Sequence, residues 1–256
     1  MALITFMSDF GDSDHYVAAV KAKIYSIDPT LKLIDISHQI EACNIAHGSF
    51  VLKSVFKEFP AGTIHLATVN TSVQGSYELI AIKLEDHYFV GSNNGLFSLI
   101  SDSEPTEAIT LHWDNEKGSF PEKDILAEAA GKLAQGISLN ELGDPVTNLQ
   151  RMLNKKSRAT KQKISGHVIH VDHFGNLITN IEYNDFSILS KNRKYKIIYG
   201  RTSTGEIHNA YSSVVHGECF TIFNSLGLLE IGIYMGNGSE LLGLNYDSPV
   251  NIIFED

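Results

Sequence analysis

With 256 residues, 43% of them hydrophobic and 20% charged, the chain is long enough to bury a core in one large or two modest domains and too apolar to remain disordered. Its formal charge of −10 argues against a nucleic-acid partner, because such binding depends on Lys and Arg displacing counterions from phosphates. No apolar stretch approaches the ~20 residues that span a bilayer, and Met1-Ala2-Leu3-Ile4-Thr5-Phe6 has no basic region ahead of its apolar run, so a soluble, cytoplasmic protein without membrane contact is expected.

Leu3 to Ser8 reads as a strand, and Tyr16, Val17, Val20 and Ile24 then repeat at helical spacing. Lys32 to Ser37 reads as a strand, Ile45 to Glu58 as a helix, and Thr63 to Val69 as a strand after the Pro60-Ala61-Gly62 turn. Cys43, between the second strand and second helix, and the distant Cys219 have no CxxC spacing; they fit a reducing compartment, and neither a metal site nor a cofactor is expected. Strands at Leu79 to Leu84 and Tyr88 to Gly91, the turn Asn93-Asn94-Gly95 and a helix from about Ile125 to Gln135 follow. This βαβ pattern predicts an α/β N-terminal domain over residues 1–155 with a mostly parallel sheet. A short basic stretch, Lys155, Lys156, Arg158, Lys161 and Lys163, reads as a solvated linker. Beyond it, His167 to Val171, Tyr195 to Tyr199, Cys219 to Phe223 and Val250 to Phe254 are short runs with hardly any helical period. They predict an antiparallel, all-β domain over residues 164–256, of barrel or sandwich type.

Polar clusters fall where strands end, which is where open α/β sheets bind ligands. Asp9 follows the first strand, and one carboxylate can accept both hydroxyls of a ribose diol; Asp-Phe-Gly there is also the signature of a turn or an N-cap. His170 shares a strand face with Asp172 while His167 faces the other way, which fits histidines on a half-exposed strand better than a metal site. Asp172 and Asn176, four residues apart across Phe174-Gly175, offer an acceptor and a mixed donor/acceptor of the kind an amino acid's zwitterionic end requires; an ordinary turn has the same pattern. Asn224-Ser225-Leu226-Gly227 and the loop Met235-Gly236-Asn237-Gly238-Ser239 allow close backbone approach to a flat heterocycle, or form a hairpin with a flexible tip.

Taken together, these segments resemble the S-adenosyl-L-methionine (SAM) hydroxide adenosyltransferases, relatives of the SAM-dependent fluorinase and chlorinase. Thr5-Phe6-Met7-Ser8-Asp9-Phe10-Gly11 with Tyr16-Val17 and Lys21 is similar to the family's T-D-F-G…Y-V…K opening, Asp35 to Ile40 to D-I-S-H-x-I, and Phe59 to His65 to F-P-x-G-T-V-H. Asp172 to Asn176 and Asn224 to Glu230 are similar to D-x-F-G-N and N-S-x-G-x-L-E. The resemblance implies an α/β domain joined to a β-barrel domain in a homotrimer whose clefts form between subunits. Asp9 would take the ribose hydroxyls, Asp172 and Asn176 the methionine end, and Asn224 and Ser225 would belong to the binding set, with Ser225 and the Met235 to Ser239 loop near the adenine. The implied reaction is in-line attack of water on the ribose carbon beside the sulfonium; SAM is substrate or ligand.

Departures fall on the residues that would activate the nucleophile. Against V-D-P-G-V-G-x-x-R-R the chain reads Val69-Asn70-Thr71-Ser72-Val73-Gln74-Gly75-Ser76-Tyr77-Glu78, against P-D-N-G it reads Ser92-Asn93-Asn94-Gly95, and against F-H-G-R-D it reads Phe120-Pro121-Glu122-Lys123-Asp124. The family's catalytic Asp, Arg and His thus fall at Asn70, Tyr77 and Pro121, and Glu122 is the new carboxylate beside the lost His. Asn70 holds no charge, Tyr77 supplies no permanent cation and Pro121 has no side-chain donor or acceptor. Binding is therefore expected to outlast turnover, with SAM hydrolysis very slow or absent. Three functions stay open: a SAM-cleaving enzyme using Glu122, a catalytically degenerate SAM or adenosine binder, and a trimer with a repurposed cleft.

Overall fold

A computed structural model of the chain describes residues 2–72, 78–112, 118–146 and 148–255. The chain divides into two compact units, Met1–Leu153 and Asn154–Asp256.

The first unit is a sheet covered on both faces. Its elements run β1 (Leu3–Ser8), α1 (Tyr16–Ile27), β2 (Lys32–Ser37), α2 (Ile45–Val55), β3 (Ile64–Thr68), β4 (Leu79–Leu84), β5 (His87–Ser92), α3 (Leu96–Ile100), β6 (Glu107–Leu111), a π turn at Glu122–Leu126 that continues into α4 (Ala127–Ala134), and β7 (Asp144–Pro145). The strand order is β2-β1-β3-β5-β4-β6-β7, parallel through β5 and antiparallel beyond it. β1 is buried on both sides, which is why it reads as a near-continuous apolar run: Ile4 and Phe6 pack with Val20 and Ile24 of α1 and Ala130 of α4, while Met7 packs with Leu52 of α2 and Leu96 of α3. Asn44 caps α2 by accepting the His47 N–H at 3.0 Å. The helix expected from about Ile125 begins earlier, at Glu122, because Pro121 at φ −62° already has helical geometry and needs no N–H there.

A buried polar row crosses three strands of this unit. The Thr5 hydroxyl lies 2.7 Å from His65 Nδ1, and His65 Nε2 lies 3.1 Å from His87 Nδ1. Burial, and then the neighbouring His87, push the His65 pKa from 6.5 down to about 3. The folded value lies below the unfolded one, so this stability is complete above pH 6.5 and is lost as pH falls toward 3. Urea titrations at several pH values should show an acid limb less steep in His65→Gln, by up to ~1.4 kcal/mol per pH unit for one proton. Identical acid limbs would count against this role for His65.

The second unit contains β8 (Arg158–Ala159), β9 (Lys163–Val171), β10 (Leu177–Glu182), α5 (Tyr183–Leu189), β11 (Lys194–Tyr199), β12 (Thr202–Thr204), β13 (Cys219–Phe223), β14 (Leu228–Ile233), α6 (Gly238–Leu242) and β15 (Pro249–Glu255). Its strands form one curled antiparallel sheet in the order β12-β11-β15-β9-β10-β14-β13, with β8 beside β9. The edge strands β12 and β13 are not paired with each other among the described residues. Instead, the segment after β12 reaches β13: the His208 N–H donates to the Thr221 carbonyl at 2.7 Å, and the Thr221 hydroxyl donates to the Glu206 carbonyl. The inward faces enclose Ile164, Val168, Leu177, Leu229, Ile231 and Ile252. The sequence pattern does not predict the short helices α5 and α6. Among the described residues no helix is long and apolar enough to cross a membrane.

Candidate functional site

In the first unit, the carboxyl ends of β1, β3 and β5 meet at one edge of the sheet. The chain leaves β1 for β2 on one side and returns to β3 on the other, so β1 and β3 flank a topological switch point. Asp9 sits there. Its Oδ2 accepts two main-chain N–H groups, from Cys43 at 2.9 Å and from Asn70 at 3.1 Å. Both donors have left-handed backbones, φ 60° and 49° respectively, so that the two loops turn their amides inward. With Oδ2 doubly bonded, Oδ1 remains for a ligand; a diol would place both hydroxyls on Oδ1 rather than one on each oxygen. The Asp9-Phe10-Gly11 turn is fixed in turn by the Gly11 N–H, which donates to the His38 carbonyl at 2.8 Å, and by the Ser8 hydroxyl, 2.7 Å from His38 Nδ1.

Aromatic packing brings a distant segment to Asp9. Phe10, Tyr16 and Phe120 form a cluster with ring centroids 5.6–5.9 Å apart, which seats the start of the π turn against the end of β1. Glu122 therefore lies within electrostatic reach of Asp9. Desolvation raises the Glu122 pKa above the ordinary carboxylate value, with the Asp9 charge adding to the rise; the bonds from its own N–H and from Thr71 act against it. π turns recur at functional sites, and this one opens on the half-buried Glu122. Pro121 is buried at the helix start, Asn70 contributes its main chain to Asp9, and Tyr77 lies outside the described residues.

The second unit holds a cavity of about 750 Å³ lined by Asp172, Asn176, Tyr211, Phe220, Tyr234 and Asn237, among others. Asp172 Oδ1 accepts the N–H groups of Phe174 at 2.9 Å and Asn176 at 2.8 Å, and its Oδ2 accepts Asn176 Nδ2 at 3.0 Å. The two residues thus form a closed turn with one face on the cavity. Gly175 has φ +82°, and a Cβ there would fall 2.0 Å from Asn237 Oδ1, so only glycine lets the two loops meet. Asn224 and Ser225 do not line the cavity. Asn224 accepts the N–H groups of Leu226 and Leu228 at the β13–β14 turn, with Ser225 exposed at its tip.

Asn224 reaches the cavity only indirectly, through Glu230. This carboxylate is 3% exposed and accepts Asn224 Nδ2 at 3.0 Å and the Tyr211 hydroxyl at 3.3 Å. Its pKa is raised first by desolvation, with Asp172 adding to the rise. Sequence reasoning singled out neither Glu230 nor Tyr211 as a site residue. Glu230 closes a quoted motif, whereas Tyr211 stands in no pattern.

Comparison with known proteins assigns both units to one family. Residues 4–143 match the SAM hydroxide adenosyltransferase N-terminal domain and residues 166–251 the C-terminal domain of the same name. The chain belongs to the SAM hydroxide adenosyltransferase family. It is 30% identical to the (R)-S-adenosyl-L-methionine hydrolase of Methanocaldococcus jannaschii, over 98% of this chain and 96% of that protein. A fluorinase from an Actinoplanes species is 24% identical over 72% of each chain. The crystal structure of an uncharacterized conserved protein from Thermotoga maritima superposes with a TM-score of 0.89 at 29% identity, covering 98% of this chain and all of that one. The Asp9 edge and the Asp172–Asn176 turn both lie in motifs quoted above, and in both a carboxylate is fixed by main-chain N–H groups.

Proposed function

We propose that the chain cleaves SAM with water to adenosine and L-methionine, with Glu122 taking the proton of the attacking water. The observation that carries this reading is the half-buried Glu122 on the π turn that the Phe10, Tyr16 and Phe120 cluster seats against the end of β1, near enough for the Asp9 charge to act on it. Attack of the water oxygen on the ribose carbon breaks the carbon–sulfur bond, and its electron pair neutralises the sulfonium. Since that sulfur is already a good leaving group, the protein's task is to position and deprotonate the water. A carboxylate with a raised pKa is better matched to accepting a proton near neutral pH. In the second unit, Asp172, Asn176 and the aromatic cavity wall suit the amino-acid and heterocyclic parts of such a ligand. Asn70 and Pro121 supply no charge, so turnover is slow. The relatives named SAM hydrolases support the same reaction.

The test is incubation of purified protein with SAM. Adenosine and methionine should appear in equal amounts, above the buffer rate and saturably. Calorimetric binding without release would assign the chain as a SAM or adenosine binder, and no binding at all would assign the cleft to another ligand.

The same reading includes a β-barrel C-terminal domain over residues 164–256 joined to an α/β domain over 1–155, assembly as a homotrimer, and a cytoplasmic location. Two free cysteines support that location. Phe174 and Met235, each 73% exposed, and Leu241, 66% exposed, leave apolar surface in the second unit that an assembly would cover. Sedimentation at micromolar concentration should give three times the chain mass. A monomer there would remove the trimer.

A further inference from the structure

The two N–H groups that hold Asp9 Oδ2 are themselves held in different ways. Cys43 sits in a local turn, closed by the Asn44 N–H donating to the Glu41 carbonyl at 3.0 Å. Asn70 is held from a distant segment, by Asn94 between β5 and α3. Asn94 Nδ2 donates to the carbonyls of Val69 at 2.9 Å and Asn70 at 3.0 Å, while Asn94 Oδ1 accepts the N–H of Leu96, the first residue of α3, at 3.1 Å. An extended chain points successive carbonyls to opposite sides; the left-handed backbone of Asn70, at φ 49°, turns these two toward one donor. The Val69 carbonyl and the Asn70 N–H belong to one planar peptide. That peptide is gripped at both ends, by Asn94 on its oxygen and by Asp9 Oδ2, 3.1 Å away, on its nitrogen. Val69 is 1% exposed and Asn94 9%, so solvent competes little for the bond between them.

We infer that Asn94 is the positioning residue of this edge: it sets the Val69–Asn70 peptide so that the N–H aims at Asp9 Oδ2, which leaves Asp9 Oδ1 for the ligand. The inference rests on the reading of Asp9 as acceptor for ribose hydroxyls and adds what orients it. Packing alone does not do so. Val69 lies in the apolar cluster with Leu52 and Leu96, which fixes where the loop starts but not which way the next peptide faces. Flipped, that peptide would present a carbonyl oxygen to the Asp9 carboxylate, acceptor against acceptor. A donor on the carbonyl side favours the productive orientation, supports the left-handed backbone at Asn70, and polarises the peptide so that its N–H donates more strongly. Ser92 supplies an internal comparison. Its hydroxyl donates to the Thr71 carbonyl at 2.9 Å, so it fixes the same loop farther along without touching the Val69–Asn70 peptide.

The test uses the full chain labelled with nitrogen-15 asparagine, with Asn70→Asp assigning the Asn70 amide, and Kd for adenosine is measured by calorimetry in parallel. Asn94→Ala should move the Asn70 amide proton upfield, as a weakened bond to a carboxylate does, and raise Kd about fivefold. Ser92→Ala should leave both near the parent's values, and in the Asp9→Ala background Asn94→Ala should raise Kd no further. If Asn94→Ala does not fold, Asn94→Ser stands in, since its hydroxyl can still accept from Leu96 but is too short to serve both carbonyls. An unmoved Asn70 amide in the folded variant would overturn the inference, as would equal effects of Ser92→Ala and Asn94→Ala. So would a parent-like Kd in Asn94→Ala when Asp9→Ala binds weakly. If the amide moves while Asp9→Ala binds adenosine as tightly as the parent, or the parent binds none, the positioning of Asp9 stands and its assignment to the ribose falls.

Discussion

Replacing Glu122 by Gln is expected to lower kcat for adenosine release by about 10²–10⁴-fold, the usual worth of general-base help, while leaving KM for SAM within a few-fold. The amide keeps the size of the side chain, so what is lost is the capacity to take a proton. Stability should move the other way. The folded pKa of Glu122 is raised, so its favourable contribution is complete below the ordinary carboxylate range and is lost as pH rises through the folded value. Gln carries no charge to desolvate, and the variant should melt higher than the parent at pH 7 but not at pH 4. Lower activity together with higher thermal stability separates a lost base from a damaged fold, and activity equal to the parent would remove Glu122 from the chemistry.

Asp9→Ala should raise the Kd for adenosine by roughly ten- to a hundredfold, since a charged acceptor for ligand hydroxyls is worth about 1.5–3 kcal/mol. Part of that loss would come from the protein itself, because Ala leaves the N–H groups of Cys43 and Asn70 without their shared acceptor. Asp9→Asn distinguishes the two contributions. Its amide oxygen can still take both N–H groups, which turns the NH₂ toward the ligand and withdraws the acceptor from the ribose. Calorimetry should therefore find the Asn variant nearly as weak as the Ala variant, with its melting temperature closer to the parent's. Unchanged binding in Asp9→Ala would overturn the ribose assignment.

The first unit was legible in sequence because its burial is simple. A strand covered on both faces, such as Ile4 to Met7, can only be apolar, and the polar residues just after such strands mark the ligand edge. Where the period differs from 3.6 or 2 the signal fails. The π turn at Glu122 hides the true start of α4, and α5 and α6, of seven and five residues, are too short to show a period. The curled sheet reads from sequence as a barrel or sandwich because its strands are short and evenly spaced, yet no strand pattern records that β12 and β13 meet through a loop. Asp9, Asp172 and Asn176 each stand in a motif that the sequence displays. The contact of the Ser92 hydroxyl with the Thr71 carbonyl joins segments far apart in the chain, and such a contact leaves no spacing to read.

The hold on Asp9 has a consequence for how this lineage can change. Cys43 and Asn70 grip the carboxylate with peptide N–H groups, and a peptide N–H is common to every residue except proline. Side chains at these two positions are therefore free to drift, within the limits of a left-handed backbone that asparagine and aspartate both tolerate. An aspartate at position 70 can give way to asparagine, or return, without loosening the hold on Asp9. The hold on Asp9 is inherited with the chain path, the side chains at positions 43 and 70 with individual codons, and selection can alter one while the other stands still.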